Sequence, residues 1–318
     1  MKNSMSADTH HRFVRKKEVF MISFKKPELS DRELLNSYIH RQHTSSCDYT
    51  FANIYLWSRH YKVDYAIVND MAVFRNRAAG CSFAFPLGEE ERLKGTVEAL
   101  MEYCRELGSP FQLHIVTEEQ FALLEKYFPG MFEIEYDRDA ADYVYEAEKL
   151  ANLSGKKYHG KKNHVNKFQR TYPDWSYEHI TDENVEECFQ MALEWRHLNG
   201  CEEDVEKNAE MCVTLNSLRL MKELELRGGL LRAGGRVVAF SIGEPLNEDT
   251  LVVHIEKAFA NVPGAYPMIN QQFVQHEAEG FLYVNREEDT GAEGLRQAKL
   301  SYHPVRMVEK GIVRKKGA

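Results

Sequence analysis

Residues 251–304, LVVHIEKAFANVPGAYPMINQQFVQHEAEGFLYVNREEDTGAEGLRQAKLSYHP, limit most strongly what this chain can fold into. Residues 251–255 are rich in leucine, valine and isoleucine and predict a strand on a half-buried sheet. Asn261, Val262, Pro263 and Gly264 break it, and a helix is expected from about Ala265. Residues 281–284 (FLYV) predict a short buried strand. Residues 285–289 (NREED) then set five polar side chains just past a strand end, where open sheets bind ligands. A glycine-rich turn at 291–294 leads through Leu295–Lys299 to the SYHP of 301–304.

A length of 318 residues favours two units, and 43% hydrophobic with 11% aromatic residues is enough for ordinary cores. A net charge of -8 excludes wholesale coating of nucleic acid or anionic lipid but leaves room for a local basic patch. Six cysteines without a CxxC pair fit reduced thiols rather than a disulfide frame or a zinc site. No apolar run approaches the roughly 18 residues that span a bilayer. Residues 1–20 are polar and basic, are expected to form a disordered leader, and lack a signal-peptide core. A soluble, cytoplasmic protein is expected.

Along the chain, a helix is expected over 28–40 with Ser30 as N-cap and Glu33 completing a capping box. Strands are expected at 62–68 and 71–75 around an Asn69-Asp70 turn, then at 82–85, 111–116, 132–136 and 143–145, with helices at 89–107 and 118–127. A second cycle opens with a basic helix at 156–171. A strand at 175–179, helices at 184–198 and 205–226, and strands at 229–232, 236–244 and 250–256 follow, with a hairpin at Gly234-Gly235. The fold class is α+β, with units at 21–148 and 149–318, each a mixed, mostly antiparallel sheet flanked by helices. One continuous mixed sheet is the alternative.

Residues 155–170 (GKKYHGKKNHVNKFQR) hold six Lys/Arg and no acid. At 100° per residue, Tyr158, Val165 and Phe168 fall on a docking side. Lys156, His159, Asn163, Asn166, Lys167 and Arg170 gather opposite, with Lys157, Lys161 and Lys162 on the flanks. Such a face suits an anionic partner such as phosphate, RNA backbone or lipid headgroups, unless it is only a solvated surface. Gly264, at the start of the helix expected from about Ala265, offers backbone N–H groups to an anion or is an ordinary turn. His254 and Glu256 alternate along one strand, so Glu256 is a candidate to orient His254 or to deprotonate an amine, or the two form plain sheet pairs. Glu287, Glu288 and Asp289 are candidates to hold an ammonium group. Arg296 and Lys299, on one helix face, are candidates for phosphate or a developing oxyanion, or the group is a salt-bridged loop. Tyr302 is a candidate proton donor. Two ligands do not make a metal site, so none is expected. Nucleophile elbow, P-loop and Rossmann fingerprints are absent, which favours direct attack on a bound acyl donor.

The segments SCDYTFANIYLW (46–57), GKKYHGKKNHVNKF (155–168), VHIEKAFANVPGAYPMINQQF (253–273) and YVNREEDTGAEGLRQAKLSYHP (283–304) resemble the soluble bacterial relatives of the phosphatidylglycerol lysyltransferase C-terminal domain. The resemblance implies two tandem GNAT-like acyltransferase domains of the Fem type, moving an amino acid from aminoacyl-tRNA. It places Gly294, Leu295, Arg296 and Lys299 at the active site, with Asp289 as the acid ahead of them. Two departures stand out: the lysyltransferases' transmembrane region is not present in this sequence, and the acetyl-CoA pyrophosphate loop is altered. Aligned on Gly264, Asn261 replaces its cation and Tyr266 its final small residue, which speaks against acetyl-CoA. The expected activity is aminoacyl transfer, with Glu256, Asp289, Arg296 and Lys299 catalytic. Lys156, Lys157, His159, Lys161, Lys162, Asn163, Lys167, His254, Gly264, Tyr266, Glu288 and Tyr302 are expected to bind substrate. The donor is expected to be aminoacyl-tRNA, with acyl-CoA the alternative, and the acceptor an amine or hydroxyl. A non-catalytic binder of an anionic ligand is the remaining alternative.

Overall fold

In the computed structural model, which describes residues 22–42 and 44–317, every strand belongs to one sheet. The leader expected over 1–20 lies outside these residues. The first half supplies β1 (Val63–Val68), β2 (Met71–Asn76), β3 (Ser82–Ala84), β4 (Leu87–Gly88), β5 (Gln112–Thr117) and β6 (Phe132–Glu146). The second supplies β7 (Ser176–His179), β8 (Arg227–Ala233), β9 (Arg236–Pro245), β10 (Thr250–Ala258), β11 (Tyr283–Asn285) and β12 (Arg306–Lys315). Across the sheet the order is β1-β2-β3-β5-β12-β6-β11-β10-β9-β8-β7, with β4 on β2.

The two halves repeat one plan. Antiparallel strands β1, β2 and β3 lead through helix Glu90–Glu106 to β5, which pairs parallel with β3. Antiparallel β8, β9 and β10 lead through helix Ala265–Glu277 to β11, which pairs parallel with β10. The tight turns are those the sequence predicts: Asn69 and Asp70 both take positive φ, as do Gly234 and Gly235. The remaining pairings are antiparallel, so the sheet is mixed and mostly antiparallel.

The last strand of each half is exchanged. β6, which closes the first half, pairs with β11 of the second, while β12 pairs with β5 of the first. β6 and β12 also pair with each other along nearly their whole length. Two apolar cores result. One gathers Phe74, Phe83, Leu113 and Phe132 with Val313 from β12, and the other gathers Phe240, Ile255 and Phe273 with Tyr143 and Tyr145 from β6.

Several expected boundaries shift for physical reasons. The strands expected at 132–136 and 143–145 are one strand, because β12 pairs with Asp137 and Asp142 on either side of a bulge at 138–141 and carries the ladder across it. The helix expected at 28–40 is a 3-10 turn, Leu29–Asp31, followed by Arg32–Ile39. Glu28 and Asp31 form the capping box in place of Ser30 and Glu33. The helix expected at 205–226 ends at Arg219. The basic segment begins as a 3-10 turn, Lys156–Tyr158, before helix His159–Thr171, and it docks through Tyr158, Val165 and Phe168 as expected. Among the described residues no helix is long and apolar enough to cross a membrane.

Candidate active site

β10 and β11 run side by side only from Thr250/Tyr283 to Val252/Asn285. β10 then continues with β9 to Ala258, its register shifting at a bulge between Val253 and Ile255, while the chain after β11 turns away. A wedge opens where the backbone pairing stops, and side chains bridge it. Arg286 Nη2 donates to Glu256 Oε1 at 3.0 Å, and Asn270 Nδ2, from helix Ala265–Glu277, donates to Glu256 Oε2 at 3.0 Å. The Arg286 guanidinium lies 4.9 Å from the Tyr302 ring centroid and 5.7 Å from that of Tyr145. Lys161 reaches in from the basic helix and sets its ammonium 4.0 Å from the Tyr302 ring. Burial, and then the Arg286 charge, lower the Lys161 pKa, and burial raises the Tyr302 phenol above its ordinary range. Two buried polar atoms here have no hydrogen-bond partner among the described residues: Arg286 Nη1 and Asn270 Oδ1.

Glu256 therefore does not orient His254. The bulge separates the two, and His254 instead bridges Glu287 (Nδ1, 2.7 Å) and Glu244 (Nε2, 2.9 Å). Burial disfavours its charge, but the two carboxylates prevail and raise its pKa to about 10, so it is an imidazolium at neutral pH.

The loop after β11 is held from below by Asp289, Arg296 and Lys299. Arg296 grips the fully buried Asp289 with Nε and Nη2 at 2.9 and 2.8 Å. The Tyr143 hydroxyl and the Gly291 N–H donate to the same carboxylate. The Arg296 contact holds the Asp289 carboxyl well below the usual range. A carboxylate so paired is a poor base, and Arg296 is further occupied by Asp139 at 2.5 Å. Lys299 Nζ donates to the carbonyls of Arg286, Glu287 and Glu288, and burial lowers its pKa. These three side chains position the loop, which keeps Glu287 and Thr290 at positive φ.

Glu288 points the other way, into a charged cluster at the seam of the halves. Lys310 of β12, 2% exposed, donates to Asp142 Oδ1 and Asp48 Oδ2, each at 2.7 Å, and lies 3.9 Å from Glu288. The other oxygen of Asp142 accepts from the Cys47 N–H (2.8 Å) and from Asn285 Nδ2 (3.0 Å). Ligand atoms of Cys47, Asp142 and Glu288 lie within 4.8 Å of one another, and Lys310 already supplies a cation among them. Burial raises the Glu288 pKa to about 7; Lys310 opposes this, and Glu287, Asp142 and Asp48 add to it. A raised acid binds an extra proton in the folded state between its unfolded pKa of about 4.5 and about 7, so stability falls as pH climbs through that window. Glu288→Gln should therefore leave Tm nearly unchanged at pH 5 and raise it relative to wild type at pH 8. An equal shift at both pH values would refute the assignment.

The remaining expected residues are spread out. Lys156, Lys157, His159, Lys162, Asn163 and Lys167 are exposed along the basic segment, and only Lys161 reaches the wedge. Gly264 has φ +89°, and a Cβ there would meet the His164 carbonyl at 2.6 Å. Its glycine thus serves close packing against the basic helix. Tyr266 is exposed, its hydroxyl lies by Trp195 and Ala258, and desolvation raises its pKa. Arg286, Asn270, Glu244, Asp142, Asp48, Cys47 and Lys310 were not singled out from sequence. Arg286 stands within the NREED run and was detectable there; Lys310 and Asp142 take their meaning from strand exchange.

A parallel pair joined by a helical crossover, repeated in two halves of one mixed sheet, is the architecture expected of tandem GNAT-like domains. The chain belongs to the family of phosphatidylglycerol lysyltransferase C-terminal domains, whose model matches residues 40–313. A conserved protein of unknown function from Bacteroides thetaiotaomicron is 37% identical, with TM-score 0.88 over 93% of this chain and 100% of its own. L-PGS from Bacillus licheniformis shares the fold, with TM-score 0.62, 14% identity and coverage of 91% and 93%. An uncharacterized protein of Mycoplasmoides gallisepticum is 23% identical over 176 residues, 55% of this chain and 56% of that relative's length.

Proposed function

We propose that this bacterial, cytoplasmic protein transfers an aminoacyl group from aminoacyl-tRNA to an amine or hydroxyl acceptor. The observation that carries the proposal is the continuity between the basic helix and the wedge. Lys161 belongs to both, lying over Tyr302 beside Arg286 while Lys156, Lys157, Lys162 and Lys167 continue the positive face outside. The exposed lysines meet donor phosphates, and the acyl ester enters between β10 and β11. As the acceptor attacks, its new bond to the acyl carbon forms, the ester C–O bond breaks, and charge collects on the carbonyl oxygen. Arg286, fixed by Glu256, is the cation placed to stabilise that charge. The acceptor gives up a proton as it attacks and the departing ester oxygen takes one up, so the transfer balances without Glu288, which faces the Lys310 cluster. Asp289, Arg296 and Lys299 act through the loop they hold.

Retention of bulk aminoacyl-tRNA across a salt series tests this on the wild type and on a Lys156→Glu, Lys161→Glu, Lys162→Glu variant. Losing three phosphate contacts should flatten the log–log salt slope by roughly two to three units. Failure of the wild type to retain tRNA, together with saturable binding of acyl-CoA, would replace the proposal with an acyl-CoA-dependent N-acyltransferase.

A further inference from the structure

A cavity of about 150 Å³ lies at the junction of the two halves. Helix Arg32–Ile39 and residues 49–51 wall it from the first half, and residues 224–225 and 244–246 wall it from the second. An apolar cavity of about that volume takes benzene, so the space suits a ligand of about six heavy atoms. Phe51, Leu224 and Leu246 give it an apolar side. Its permanent charges are one guanidinium, Arg32, and two carboxylates, Glu225 and Glu244. Both Nη atoms of Arg32 are engaged by Glu225, at 2.6 and 2.5 Å. Glu244 is engaged at one oxygen only. Its Oε1 accepts from His254 Nε2 at 2.9 Å, whereas Oε2 accepts nothing among the described residues. The side chain is 13% exposed, so a ligand can reach it. The unmatched charge of the cavity is therefore negative and sits among apolar walls, where a charged donor gains most from it.

We infer that this cavity is a binding site for a short primary ammonium ion, whose N–H groups donate to Glu244 Oε2 and whose alkyl body lies against Phe51, Leu224 and Leu246. A carboxylate of equal size would meet Glu244 as a like charge and find the Arg32 fork occupied. A neutral alcohol would make the hydrogen bond without the assistance of charge. The site is distinct from the wedge, because the β10 bulge separates His254 from Glu256. His254 nevertheless joins it to the loop after β11, since its other nitrogen donates to Glu287 at 2.7 Å. An ammonium ion at Glu244 is thus one imidazole away from that loop, whichever acyl donor the protein uses.

The test titrates the 318-residue chain with n-butylamine, n-butanol and butyrate at neutral pH, followed by thermal shift and by the ring signals of His254 in NMR spectra. The amine should bind saturably, with a Kd at least about tenfold below that of the alcohol, and butyrate should not bind. The His254 signals should move as the amine saturates. Glu244→Gln should erase the preference for amine over alcohol. That change also alters a partner of His254, so Asn36→Phe, at a half-buried lining position, is the second variant. It keeps Glu244, fills the cavity and should abolish binding of the amine. Equal affinity for amine and alcohol, or amine binding that survives Asn36→Phe, overturns the inference. Saturation that leaves the His254 signals in place puts the amine elsewhere and overturns it too. If the wild type does not bind n-butylamine, the cavity holds water only and the inference falls, with the transfer proposed above untouched.

Discussion

Lys310→Ala should destabilise the protein by about 3–5 kcal/mol, the usual cost of removing one partner of a buried ion pair. The lysine is 2% exposed and holds Asp142, itself fully buried, as well as Asp48. Without it, Asp142 keeps its Cys47 and Asn285 hydrogen bonds but faces Asp48 and Glu288 with no opposing charge. Burial works against the ammonium, yet Asp142 and Asp48 hold the Lys310 pKa well above its ordinary value. A double substitution, Lys310→Ala with Asp142→Asn, should recover part of the loss because the stranded charge is gone. Denaturant unfolding of the four proteins closes the cycle. A loss below about 1 kcal/mol for Lys310→Ala would mean that water reaches the cluster and that its charges are screened.

Asp289→Asn is expected to cost about 2–4 kcal/mol and to loosen residues 286–292, with Arg296 partly exposed and so partly compensated by solvent. The substitution keeps the shape but removes the charge that Arg296 grips at two points. Asp289 has its pKa lowered by Arg296, so its contribution is present above the ordinary value of 3.8 and is lost as pH falls through the folded-state pKa. The gap between wild type and variant should be full at pH 7 and should close in strong acid. Amide exchange gives the second readout. The loop should exchange faster in the variant, with β8 and β9 unchanged. Uniformly faster exchange would assign Asp289 to global stability rather than to the loop.

These residues show where sequence is informative. The crossover of residues 251–285 was readable because apolar runs, a glycine break and a helical period succeed one another within one continuous segment. The basic face was readable because helical geometry is local. Partnerships between distant segments were not. Glu256 looks like a partner for His254 in a flat strand, and one bulge reassigns it to Arg286. Asp289, Arg296 and Lys299 carry the chemistry expected of a catalytic group, yet their hydrogen bonds are spent on one another, on the loop backbone and on Tyr143 and Asp139 of β6. β12 breaks apolar alternation at Lys310, a position that reads as surface until Asp142 and Asp48 are seen beside it.

The exchange of β6 and β12 also governs the order in which the molecule can be made. β5 waits for a neighbour that lies about 190 residues later in the chain, since Thr117 pairs with Lys310. On the ribosome the first half emerges with that edge bare and with Val313 missing from its core. Translation alone cannot finish it: nearly the whole second half must be synthesised before residues 306–315 can be inserted. Long-range closure of this kind is slow and leaves strand edges open to other chains. Nascent-chain yield, as well as the stability of the finished protein, is therefore exposed to changes in β12.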